Sequence, residues 1–218
     1  MKCSMSKICY IIGAGNGVMP FEKKEGDLVI AADGGYRALC TLGVKPDLVL
    51  GDFDSLSEEA LPTGTTEIVR YPVRKDDTDT LLAVKTGFER GYTRFVIYGG
   101  TGGRLDHTLA NLQTLSFIAT NGGIGFLCGN DFTATALTNK SISFSEKAQG
   151  TISLFSATDK CEISLDGLLY SLNRATVTHD FPIGVSNEFV GEESKITAHS
   201  GTAIIIWSGG LEDCFYMP

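Results

Sequence analysis

The chain has 218 residues, with 18 Lys+Arg against 26 Asp+Glu and a formal net charge of −8, a balance that disfavours non-specific nucleic-acid binding because such binding neutralises phosphates with clustered cations. A hydrophobic content of 43% beside 20% charged residues suits a globular protein with a sizeable core and excludes a disordered chain. No apolar run approaches the roughly 20 residues of a membrane helix, and the run 8–12 is too short for a signal-peptide core, so neither a membrane nor a secreted protein is expected.

From the N-terminus, β-like apolar runs at 8–12, 28–32, 48–50, 68–71 and 95–98 alternate with helical patterns at 35–42, 77–90 and 106–120. In the second helix Leu81, Leu82, Val84 and Phe88 recur at spacings of three and four, with Thr78 or Asp77 placed to cap it. Strands alternating with helices imply a mostly parallel sheet covered on both faces, and ligands of such sheets gather at the carboxyl ends of the strands. After about residue 139 the pattern changes to short alternating segments at 141–144, 151–155, 161–165, 175–178, 195–198 and 203–207. The expected fold is therefore α/β, an N-terminal mostly parallel sheet flanked by helices over 1–139, followed by a smaller all-β sandwich over 140–218. Six scattered cysteines form no CxxC pair, which fits reduced cytoplasmic thiols and disfavours a zinc site.

Four segments of the first half place chemistry at or just after a strand. Ala31-Ala32-Asp33-Gly34-Gly35 ends an apolar run in an acid and two glycines. Leu48 to Leu50 delivers Gly51-Asp52-Phe53-Asp54-Ser55; in an extended backbone the two aspartates share one face, where two hard oxygen donors can share Mg²⁺. Lys75-Asp76-Asp77-Thr78-Asp79 precedes the second helix, whose N-terminus adds positive character beside the acids. Gly99-Gly100-Thr101-Gly102-Gly103-Arg104-Leu105-Asp106-His107 follows the strand 95–98, and its glycines, Gly102 among them, let the backbone approach a ligand while Arg104 can grip phosphate oxygens. A single aspartate after a strand is as often a cap or a turn residue. Four such segments at one sheet edge are better explained by a metal and a nucleotide, because unpaired carboxylates repel one another. Gly13-Ala14-Gly15-Asn16-Gly17 misses the GxGxxG spacing and is equally a plain turn or a nucleotide contact.

These motifs resemble the thiamine pyrophosphokinase family, whose GDFDS, KDxTD and GGxxGRxDH signatures stand here at 51–55, 75–79 and 99–107, and whose GxSNE element stands as Gly184-Val185-Ser186-Asn187-Glu188. The resemblance implies an ATP-dependent enzyme that transfers the pyrophosphoryl group of ATP to the hydroxyethyl oxygen of thiamine, giving thiamine diphosphate and AMP. It implies Mg²⁺ on Asp52, Asp54 and Asp79, phosphate contacts from Lys75, Thr78 and Arg104, and Asp33 in the nucleotide region. Asp106 would orient or deprotonate the attacking hydroxyl. Ser186 and Asn187 would meet the pyrimidine of thiamine, and Trp207, the only tryptophan, would supply an aromatic platform, against the competing reading of a core aromatic. The resemblance further implies a homodimer with active sites shared between copies, while the cysteine usage implies a cytoplasmic location. A pyrophosphokinase for another hydroxyalkyl heterocycle, a Mg²⁺-dependent nucleotide hydrolase and a non-catalytic sensor are the rival readings; the complete set of signature acids disfavours the last.

Overall fold

The computed structural model describes residues 7–53, 64–72 and 76–217. The chain forms two compact units, Met1–Thr114 and Leu115–Pro218.

The first unit carries β1 (Cys9–Ile12), β2 (Leu28–Ala32), α1 (Gly35–Leu42), β3 (Leu48–Gly51), β4 (Glu67–Arg70), α2 (Asp79–Glu89), β5 (Arg94–Tyr98) and the first turns of α3 (Leu105–Thr120). Its strands are parallel and ordered β5-β1-β2-β3-β4. Every residue of β1, β2 and β3 is buried, as expected of parallel strands covered on both faces, which read as continuous apolar runs. The edge strand β4 is largely exposed. Helix α2 is capped by Thr78, whose hydroxyl accepts from the Leu81 N–H at 3.2 Å, and buries Ala83 and Val84. The chain leaves β1 toward β2 on one side and reaches β5 on the other. The loops after β1 and β5 thus flank the point where strand order reverses, the position at which open α/β sheets bind ligands.

The second unit is antiparallel. It contains β6 (Ile124–Cys128), β7 (Phe132–Thr138), β8 (Ser141–Phe144), β9 (Thr151–Ser156), β10 (Lys160–Asp166), β11 (Leu172–Thr178), β12 (Asn187–Glu188), β13 (Ser194–Ser200), β14 (Thr202–Ser208) and β15 (Cys214–Met217), with a 3-10 turn at Leu211–Asp213. One layer runs β12-β9-β14-β7-β6 and the other β11-β10-β13-β8-β15. The layers face each other as a sandwich, with β13 on β7 and β11 on β9. Between them sit Phe144, Ile152, Ile163, Ile196, Ile205 and Trp207, all at most 2% exposed. The Trp207 ring packs edge-on to Phe144 at 5.2 Å and to Phe126 at 6.4 Å, and its Nε1–H donates to the Gly210 carbonyl at 3.1 Å. That burial favours the core reading of Trp207 over the ligand platform: the ring presents almost no surface, and its one polar atom is satisfied within the fold.

The strands and helices expected from the sequence all form, with ends shifted by up to three residues. β6, β7, β12 and β15 were not expected. No described helix is long and apolar enough to cross a membrane.

Candidate active site

A cavity of about 570 Å³ opens at the carboxyl ends of β1, β2, β3 and β5. Its floor consists of two glycine loops packed backbone to backbone. The Gly13 N–H donates to the Tyr98 carbonyl at 2.8 Å, Gly15 to Gly99 at 2.7 Å and Asn16 to Thr101 at 2.8 Å. A Cβ on Gly13 would lie 2.6 Å from the Gly99 oxygen, and Gly99 itself has φ +65, so the two loops meet only because side chains are missing from both. Two amides then fix the second loop: Asn16 Nδ2 donates to the Gly102 carbonyl at 2.9 Å, and the buried Asn111 Nδ2 to Gly100 at 2.7 Å.

Carboxylates enter from the neighbouring strand ends. Asp33 and Asp52 follow β2 and β3, and Asp79 opens α2; all three line the cavity with Asp77, Thr78, Arg104 and His107. Asp33 (φ +47) and Phe53 (φ +58) adopt left-handed backbone. Such conformations cost on the order of 1 kcal/mol or more each and concentrate at functional sites. The left-handed turn at Phe53 departs from the extended backbone expected there, and Asp54 lies outside the described residues. Phe53 is 5% exposed, and the Arg70 guanidinium stands 5.5 Å from its ring centre. Asp77 is committed to Lys85, with Nζ to Oδ2 at 2.5 Å.

Among the described residues, no three His, Cys, Asp or Glu side chains converge into a group able to hold a metal unaided. The donor set still fits Mg²⁺ arriving with a nucleotide, because Mg²⁺ takes one or two carboxylates and completes its shell with phosphate oxygens and water. At the rim Arg104 meets Asp106, Nε donating to Oδ1 at 3.1 Å and Nη2 to Oδ2 at 2.5 Å. The contact holds the Asp106 carboxyl below its ordinary pKa and raises that of Arg104.

A second cavity, about 390 Å³, lies within the sandwich. Its walls are aliphatic, including Ile152, Leu154, Ile163, Leu165, Val177 and Ile196. Tyr170 and Ile183 line it while 65% and 67% exposed. Asn187 is buried; its Nδ2 donates to the Tyr170 carbonyl at 2.7 Å, and its Oδ1 accepts from Tyr170 N at 3.0 Å and Glu188 N at 2.9 Å. The exposed Ser186, at φ +61, donates its backbone N–H to Ser153 Oγ at 3.1 Å.

Family models agree with this two-part chemistry. "Thiamin pyrophosphokinase, catalytic domain" matches residues 22–123, and "Thiamin pyrophosphokinase, vitamin B1 binding domain" matches residues 139–203. The chain belongs to the thiamin pyrophosphokinase family. The thiamine pyrophosphokinase of Bacillus subtilis strain 168 is 29% identical over 189 residues, spanning 84% of this chain and 88% of that protein. The crystal structure of a Bacillus subtilis thiamine pyrophosphokinase superposes with a TM-score of 0.81 at 26% identity, over 94% of this chain and all of that one. A thiamin pyrophosphokinase family protein from Enterococcus faecalis gives 0.79 at 28% identity, with the same coverage.

Of the site residues expected from the sequence, the first cavity gathers Asp33, Asp52, Thr78, Asp79 and Arg104. Gly102 sits in the loop beside it, held by Asn16, and Asp106 stands outside the lining, paired to Arg104. Asp54 and Lys75 lie outside the described residues. In the second unit Asn187 lines the apolar cavity, Ser186 lies between the lining residues Val185 and Asn187, and Trp207 belongs to the core. Sequence reasoning left two contributors unassigned. The Gly13 to Gly15 run is a wall of the first cavity, and its signal was three alternating glycines directly after a strand. Tyr170 had no local signal at all, because only Asn187, 17 residues away, sets its backbone.

Proposed function

We propose that the chain transfers the pyrophosphoryl group of ATP to the hydroxyethyl oxygen of thiamine, giving thiamine diphosphate and AMP. The observation that carries this reading is the first cavity, where acids and a guanidinium surround two interlocked glycine loops at the strand-order reversal. In this reading residues 1–139 serve ATP and residues 140–218 serve thiamine. Asp33 lines the nucleotide region, while Lys75, Thr78, Gly102 and Arg104 receive phosphate oxygens beside the N-termini of α2 and α3. Asp52, Asp54 and Asp79 would hold Mg²⁺, which would neutralise phosphate charge and orient the phosphates.

The reaction forms a bond from the thiamine hydroxyl oxygen to the β-phosphorus and breaks the bond from that phosphorus to the bridging oxygen, which leaves on AMP; the hydroxyl proton is released. Alignment and charge neutralisation supply most of the catalysis in such transfers. Asp106 is a poor base here, since Arg104 stabilises its ionised form. In the β half, Ser186 and Asn187 face thiamine, and Tyr170 takes the aromatic role that the buried Trp207 does not fill. Its ring is solvent-facing and its backbone is clamped, which suits stacking on a cationic or heteroaromatic ring.

Exposed Tyr170, Phe181, Ile183 and Val185 support a homodimer with active sites shared between copies, because monomers rarely expose so many large apolar groups together. The five described cysteines are free thiols, which supports a cytoplasmic location. The test is incubation with ATP, Mg²⁺ and thiamine. Equimolar AMP and thiamine diphosphate are expected; release of ADP, or ATP loss independent of thiamine, overturns the reading.

A further inference from the structure

Arg104 stands at the rim of the phosphate cavity with its guanidinium already occupied. It is the one cation among the described cavity-lining residues. Two of its nitrogens contact the two oxygens of Asp106, a fork-to-carboxylate arrangement with the same geometry a phosphate would offer. Asp106 is held in turn by its own helix, its Oδ1 accepting the His107 N–H at 3.0 Å in the first turn of α3. The side chains are 71% and 63% exposed, so water screens the pair and an incoming anion can reach it. Asp106 does not line the cavity whereas Arg104 does.

We propose that Asp106 is a positioning residue that occupies Arg104 as a phosphate surrogate and hands it to the nucleotide, the guanidinium exchanging a carboxylate for a phosphate when ATP binds. The idea rests on the assignment of the first cavity to ATP. Two consequences follow from the geometry. In the free protein the acid keeps Arg104 at the rim and in a bidentate-ready orientation, which limits the ordering cost on binding. The exchange also sets a competition, so removing the acid's charge makes nucleotide binding tighter. A general base or a metal ligand at this position predicts the opposite or no change in affinity.

The test is calorimetric binding of α,β-methylene-ATP with Mg²⁺, and of adenosine, to the full chain. Asp106→Asn keeps the Oδ1 acceptor for His107 N–H and removes the charge. It is expected to bind the triphosphate about two- to five-fold more tightly, the range that exposed ion pairs support, with adenosine unchanged. In an Arg104→Gln background the same change is expected to have no effect, which separates direct exchange from long-range repulsion between Asp106 and the phosphates. The ATP KM of Asp106→Asn should fall while the thiamine KM stays constant. Equal or weaker triphosphate binding by Asp106→Asn, or a gain that persists without Arg104, overturns the exchange alone. Failure of the unsubstituted protein to bind the triphosphate overturns the ATP assignment as well.

Discussion

The two cavities of this chain are built on opposite physical terms. The one at the parallel sheet is about 570 Å³ and lined by acids, a guanidinium and bare backbone; the one inside the sandwich is about 390 Å³ and lined by aliphatic side chains. The difference follows from sheet type. In a parallel sheet covered on both faces the strands are wholly buried, and the chain can show polar groups only where strands end. In an antiparallel sandwich alternate residues face inward, so a gap between layers inherits the apolar core. Phosphate oxygens suit the first cavity, and a heteroaromatic ring suits the second.

The sharpest way to break this contrast is to remove charge from the polar cavity. Asp52→Asn is expected to lower kcat/KM for AMP formation by roughly 100-fold or more, the scale of losing one preorganised electrostatic partner, with an unchanged circular dichroism spectrum. Full activity at ordinary Mg²⁺ would remove Asp52 from the site. In the apolar half, Trp207→Ala should cost about 3–5 kcal/mol in urea unfolding because it empties a core position. If stability held and only the thiamine KM rose, the tryptophan would be a platform after all. Tyr170→Ala makes the converse claim, a thiamine KM raised on the order of tenfold with ATP KM and unfolding midpoint unaltered; a fall in stability instead would place Tyr170 in the core.

The smallest effect is a titration. Arg104 lowers the Asp106 pKa, so the folded pair is intact above the ordinary carboxyl value of 3.8 and is lost as pH falls through the lowered one. In Arg104→Gln the carboxyl resonance of Asp106 should titrate back up toward the ordinary value, and an unmoved midpoint would show that the pair does not form in solution.

Much of this architecture was readable in advance. β1, β2, β3 and β5 were plain because doubly covered parallel strands are nearly unbroken apolar runs, and α2 was plain from its spacing and its Thr78 cap. The pattern of β7 is obscured because its buried side chains include threonines. Thr133 and Thr135 are at most 1% exposed, and each donates its hydroxyl to a carbonyl, of Gly209 and Gly125 respectively. Burial there depends on a distant acceptor, which a hydropathy pattern does not register. The acids of the first cavity were legible as strand-end residues, but the turn at Phe53 was not, since a left-handed phenylalanine is chosen by its surroundings and not by its type.

The amino-acid sequence by itself determined the strands of the first unit, which acids follow them, and the signatures by which the family is known, because those depend on local periodicity and on residue chemistry. Tertiary structure alone decided that Asn16 grips a loop 86 residues away, that the two glycine loops interlock, and that Tyr170 is presented while Trp207 is enclosed. Each of those outcomes is a choice among partners far apart in the chain, and packing settles it by pairing most buried polar groups while leaving no room for side chains where backbones touch.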